Sequence, residues 1–157
     1  TLSMLDGLVD IYLPDFKYAD DFLAVKYSSA PNYVNTAVAA IHEMTFQVGL
    51  PQFDDDGIMK KGVIIRHLIL PANTNSSIEI IDYFKDNFQG AYLSLMAQYT
   101  PCTDLCEYPE ISRKITEREY KKVLDHAVLA GLENVFVQEL SSADEVYIPP
   151  FDFTVVM

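Results

Sequence analysis

What most constrains this chain is an alternation between short, nearly unbroken apolar runs and longer segments whose apolar residues recur at helical spacing. The runs are Val9 to Leu13, Val63 to Leu70, Ala91 to Met96 and Val135 to Val137. A run that stays apolar without two-residue alternation suits a strand covered on both faces, as in parallel sheets. A helix over Asn32 to Val48 gathers Val34, Ala37, Val38, Ile41, Met44 and Val48 on one stripe and stops at Gly49. A second starts near Asn75, where Ser76 and Glu79 match the S/T-x-x-E capping box, and ends by Gly90, with Ile78, Ile81 and Phe88 inward. A third runs from Thr116 to Ala130, with Tyr120, Val123, Leu124, Ala127 and Val128 on one face. Thr116 and Glu119 form its capping box, and Gly131 supplies the left-handed residue that stops it. Strand and helix in turn predict an α/β fold with a parallel sheet, interrupted by a hairpin insertion at about 53–62 around Asp56-Gly57.

At 157 residues the chain suits a single domain, residues 1–157, able to bury a core without staples. Its two cysteines are too few for a disulfide scaffold, which favours a reducing cytoplasm. No apolar run approaches the ~20 residues that cross a bilayer. Lys plus Arg number 11 against 23 Asp plus Glu, and the net charge of −12 repels phosphate backbones and anionic lipids. Neither nucleic acid nor membrane is an expected partner. The chain starts at Thr1 rather than Met, which suggests a cut end.

Polar residues recur at the C-terminal end of each strand: Asp15 and Lys17, Arg66 and His67, Gln98, then Gln138 and Glu139. In a parallel β/α barrel that rim is where ligands bind, although any strand end emerging into water also turns polar. Arg66 is the most informative, since a guanidinium within an apolar strand needs a carboxylate or an anionic ligand. Asp15 and Lys17, two apart, share a face of an extended segment. They suit a self-neutralising pair that also grips a zwitterion, or an ordinary salt bridge, which the spacing alone favours slightly. His42, His67 and His126 fall in separate elements, so no metal set forms, and His42 and His126 suit structural places in amphipathic helices. Asp54, Asp55 and Asp56 read as a solvated turn, since no calcium-loop spacing follows.

The segments YLPDFKY, GVIIRHLILP, SLMAQYTP, YPEISRKITEREYKKVLDHAVLAGLENVFVQE and YIPPFD together resemble radical S-adenosylmethionine (SAM) proteins similar to pyruvate formate-lyase-activating enzyme, over essentially the whole chain. The resemblance implies a partial parallel β/α barrel, TIM-barrel-like, of which this chain is the C-terminal half. It implies a [4Fe-4S] cluster on a C-x3-C-x2-C loop and SAM at the strands' C-terminal ends. Reductive cleavage of SAM would then yield a 5'-deoxyadenosyl radical for hydrogen abstraction, an oxidoreductase chemistry carried by the cofactor. Carried over by position, Asp15 and Lys17 match a D-x-K element near SAM, Arg66 matches an arginine facing SAM or substrate, and Gln98 stands where a histidine is often found. The implied radical acceptor is a glycyl-radical enzyme or a small molecule.

One departure is large. Cys102 and Cys106 make C-x3-C without a third cysteine, and the cluster loop and the glycine-rich element for SAM are expected before Thr1. The chain alone is therefore expected to hold neither cluster nor SAM, to be inactive, and to self-associate through its uncovered side. The parent is expected to be the enzyme. A second reading is a stand-alone half-barrel module that binds an anionic metabolite or a partner peptide. A hydrolase has no G-x-S-x-G elbow or metal set to support it.

Overall fold

The computed structural model describes residues 1–101 and 105–138. A mixed sheet is built on β1 (Ile11–Tyr12), β2 (Gln52–Phe53), β3 (Met59–Leu68), β4 (Tyr92–Met96) and β5 (Val135–Val137). The helices are α1 (Asp21–Ser28), α2 (Tyr33–Val48), α3 (Thr74–Asn87) and α4 (Glu117–Leu129), with short 3-10 turns at Leu2–Met4 and Pro109–Ile111. Strand order is β1-β3-β4-β5, every neighbouring pair parallel, and β2 joins β3 antiparallel. The α/β architecture with a parallel sheet is therefore present.

Burial alternates along the strands. Val63, Ile65, His67 and Ile69 are buried on one face of β3 and its continuation, as are Leu93, Leu95 and Ala97 beside them. They meet Ile41 and Val48 of α2, Ile80, Ile81 and Phe84 of α3, and Tyr120, Val123 and Ala127 of α4. The intervening Ile64, Arg66, Leu68, Tyr92, Ser94 and Met96 are half-buried and point the other way. Phe53, Tyr92 and Phe136 form a ring row on that second face, with centroids 5.3 and 5.1 Å apart. The apolar runs predicted strands covered on both faces. Among the described residues, the buried core lies on one face only, because Arg66 and Ser94 interrupt the apolar surface of the other.

Several boundaries moved for physical reasons. The hairpin forms at the expected place, β2 pairing antiparallel with Met59 to Lys61, and its second arm runs on directly as β3. Its turn is held by Asp54, whose carboxylate accepts from the Asp56 and Ile58 N–H groups and pairs with Lys60. The first strand shrinks to Ile11–Tyr12 because Pro14 brings no N–H, though a bridge from Asp15 to Arg66 resumes the ladder. Helix α1 had no periodic signal, since Phe22 and Val25 are exposed and only Ala24 is buried, yet Asp20 caps it by accepting from Leu23 N–H at 2.8 Å. The Ser76/Glu79 capping box does not form. Asn73 precedes the first turn of α3, and the serine hydroxyls turn to other partners. The Thr116/Glu119 box does form, and Gly49 and Gly131, at φ 70° and 73°, follow α2 and α4 in the left-handed half of backbone space.

Candidate functional site

The segment after β1 passes beside the C-terminal half of β3. Arg66 N–H donates to Pro14 O at 2.8 Å and Phe16 N–H to Arg66 O at 2.9 Å, so Asp15 and Arg66 stand side by side in a parallel register. Phe16 is 1% exposed in the core, and alternation turns Asp15 toward the second face. Asp15 Oδ1 lies 2.8 Å from Arg66 Nη2, and Asp15 Oδ2 lies 3.4 Å from Lys17 Nζ. One carboxylate is thus shared by two cations, leaving a local charge of one plus.

The side chains of Lys17 and Arg66 remain 47% and 43% exposed, so the guanidinium is not the deeply buried ion that its place in an apolar run suggested. Its Nε is nevertheless closed off from solvent and has no acceptor. Asp15 Oδ1 is also without a properly angled donor, which makes the 2.8 Å contact an ion pair rather than a well-formed hydrogen bond. A buried donor left unmet costs about 1–3 kcal/mol. The arrangement can accept an anionic group, with Arg66 and Lys17 as cations and Asp15 orienting them.

Tyr33 of α2 braces the same stretch, accepting from Lys17 N–H at 2.8 Å and donating to Asp15 O at 3.2 Å. Burial pushes its phenol pKa up and keeps it a donor. Gln98 is exposed just beyond the end of β4, at the same end of the sheet. Gln138 follows β5, and its carbonyl accepts from Tyr120 Oη, while Glu139 lies outside the described residues.

His67, read from the sequence beside Arg66 as part of the polar rim, turns into the core instead, and one further feature carried no sequence signal. His67, 1% exposed, has Nδ1 2.8 Å from Phe16 O and Nε2 2.8 Å from Ser77 Oγ. Burial pulls its pKa down to about 4. The further feature is a clasp between α1 and the Pro109–Ile111 turn, where Glu110 accepts from Lys26 and Tyr27 of α1. These bonds, Lys26 first, hold the Glu110 carboxyl at about 2. The Tyr27 ring meets Tyr108 edge-on at 5.5 Å and Tyr18 at 6.4 Å. Partners more than eighty residues apart in the chain cannot be paired by local pattern.

The donor set does not fit an iron-sulfur cluster. The chain has two cysteines where a site-differentiated cluster needs three, Cys106 is exposed, and Cys102 lies outside the described residues. Among the described residues no three His, Cys, Asp or Glu side chains gather as metal ligands, and no described helix is long and apolar enough to cross a membrane.

No protein-family model matches the chain. It is 30% identical over 136 residues to the uncharacterized protein MJ0674 of Methanocaldococcus jannaschii. That alignment covers 86% of this chain and 36% of the relative, so the chain spans about a third of the relative's length.

Proposed function

We propose that this chain is the C-terminal half of a radical SAM enzyme resembling pyruvate formate-lyase-activating enzyme, a cytoplasmic oxidoreductase, and that its strand-end rim holds part of SAM. The observation that carries the reading is the convergence of Asp15, Lys17 and Arg66 at the C-terminal end of a parallel sheet, with an unmet Arg66 donor. Lys17 and Arg66 would hold a carboxylate, Asp15 would orient both cations, and Gln98 would border the ligand. The sequential strand order with the core on one face supports a partial barrel, whose interior would be the second face. The greater length of the relative leaves room for the remaining strands and for a cluster loop. When bound, SAM and a cluster would supply the radical chemistry. These residues would bind and orient.

The test has two parts. Anaerobic reconstitution of the chain with iron and sulfide should leave it colourless, and a stable brown product with about four irons per chain would overturn the half-enzyme reading. The coding sequence upstream of Thr1 should contain C-x3-C-x2-C, and in that longer protein Arg66→Ala should slow 5'-deoxyadenosine formation by about tenfold or more. A start codon directly before Thr1 would favour the second reading, a stand-alone module for an anionic metabolite, which the same positive rim supports.

A further inference from the structure

We infer that the buried pair His67 and Ser77 positions the rim, fixing the backbone that carries Asp15 and Lys17. The inference rests on the reading that the rim takes an anionic group, and deepens it by naming what holds the rim in place.

Hydrogen-bond chemistry assigns the imidazole. Phe16 O can only accept, so His67 Nδ1 carries the proton and donates to it at 2.8 Å. In the neutral ring Nε2 is then an acceptor, and Ser77 Oγ, 2.8 Å away on α3, donates to it. Burial favours this neutral form. The Phe16 carbonyl thereby selects the tautomer, and Ser77, whose hydroxyl can donate or accept, meets the remaining ring nitrogen and holds the ring in place. That carbonyl belongs to the residue between Asp15 and Lys17, where regular strand β1 has already ended. Neighbouring Ser76 adds a second tie, accepting from Ala19 N–H at 3.2 Å. One face of the segment is thus pinned to β3 and α3, and alternation aims Asp15 and Lys17 at the other face.

A positioning role differs from a packing role in what it disturbs. Loss of packing lowers global stability, whereas loss of the Phe16 bond should loosen the Asp15 segment against Arg66 in a chain that still folds. The experiment uses the nitrogen-15-labelled chain and solvent exchange of the Arg66 Nε–H resonance. Ring nitrogen shifts should show the Nδ1–H tautomer in the native chain, and Ser77→Ala, which leaves Nε2 without its donor, should speed Arg66 Nε–H exchange by less than His67→Phe does. His67→Phe should speed Arg66 Nε–H exchange about tenfold, because that N–H has no acceptor and is kept from water only by burial, which a loosened segment would open. His67→Asn keeps a donor toward Phe16 O and should restore most of the protection.

If His67→Phe folds and Arg66 exchange is unchanged, the positioning role is wrong. If His67→Phe does not fold, His67→Asn and Ser77→Ala decide. Native-like exchange in the former with faster exchange in the latter supports the role; unchanged exchange in Ser77→Ala, or an Nε2–H tautomer in the native chain, overturns it. Addition of SAM to the longer native protein tests the underlying reading separately, because an unmoved Arg66 resonance there removes SAM from the rim without touching the His67 result.

Discussion

At the scale of single residues, His67 makes stability depend on pH in a window of its own. Its pKa falls from an ordinary 6.5 to about 4 in the folded chain because burial disfavours the imidazolium. The unfolded chain therefore takes up a proton first as pH falls. The stability that His67 supports is full above about 6.5, is lost progressively down to about 4, and changes no further below that. The loss amounts to about 3 kcal/mol. Lys17 and Tyr18 are the titratable residues lining the same small recess, with Asn73, Ser76 and Ser77. Glu110 and Glu119 have lowered pKa values, so their losses begin only in the carboxylate range below ~4.5. Urea melts between pH 7 and 5 should show a falling midpoint in the native chain and a much flatter one in His67→Asn. Equal slopes would assign the effect to other groups.

At the scale of elements, Glu119 ties three segments together. Its carboxylate closes the capping box at Thr116, takes a bidentate contact from Arg113 at 2.8 Å, and accepts from Ala72 N–H at 2.7 Å. Arg113 foremost holds its pKa well below the usual carboxylate range. Ala72 sits at φ 59°, a left-handed conformation costing a non-glycine residue about 1 kcal/mol. Glu119→Gln should lower unfolding stability by about 1–2 kcal/mol, whereas Ala72→Gly should leave it unchanged or raise it by up to about 1 kcal/mol, both read from denaturant midpoints. A destabilised Ala72→Gly would mean that the turn gains more from the alanine than it loses in strain. The Thr116 box was legible because both its partners lie within one turn. The reach of Glu119 to Ala72 was not, because it spans forty-seven positions. The same division explains α1, whose exposed Phe22 and Val25 blur the apolar period, so that no helix was expected there. It also explains Ser76, a serine with the right spacing for a cap and a better partner elsewhere.

At the scale of the molecule, the parallel strands and most helix positions were readable from periodicity, since one sheet face and three helix stripes build the core. The state of the second face was not, because a run such as VIIRHLIL looks alike whether both faces or one are packed. Half-buried Ile64, Leu68, Tyr92 and Met96 lie on that face, and Phe136, 43% exposed, stacks on Tyr92. If several hundred Å² of this surface stay wet, the stabilisation forgone is on the order of several kcal/mol at roughly 25 cal/mol per Å², comparable with a small domain's whole stability. A second copy of the chain, packed face to face, would recover part of it. The net charge of −12 opposes that contact, so salt should promote it by screening the repulsion. In sedimentation experiments the apparent mass should rise with protein concentration and rise further at high salt. Phe136→Glu should return the chain to a monomer without changing its circular dichroism, because the residue lies outside the buried core. A native chain that stays monomeric at every concentration and salt level would mean that the second face needs no partner.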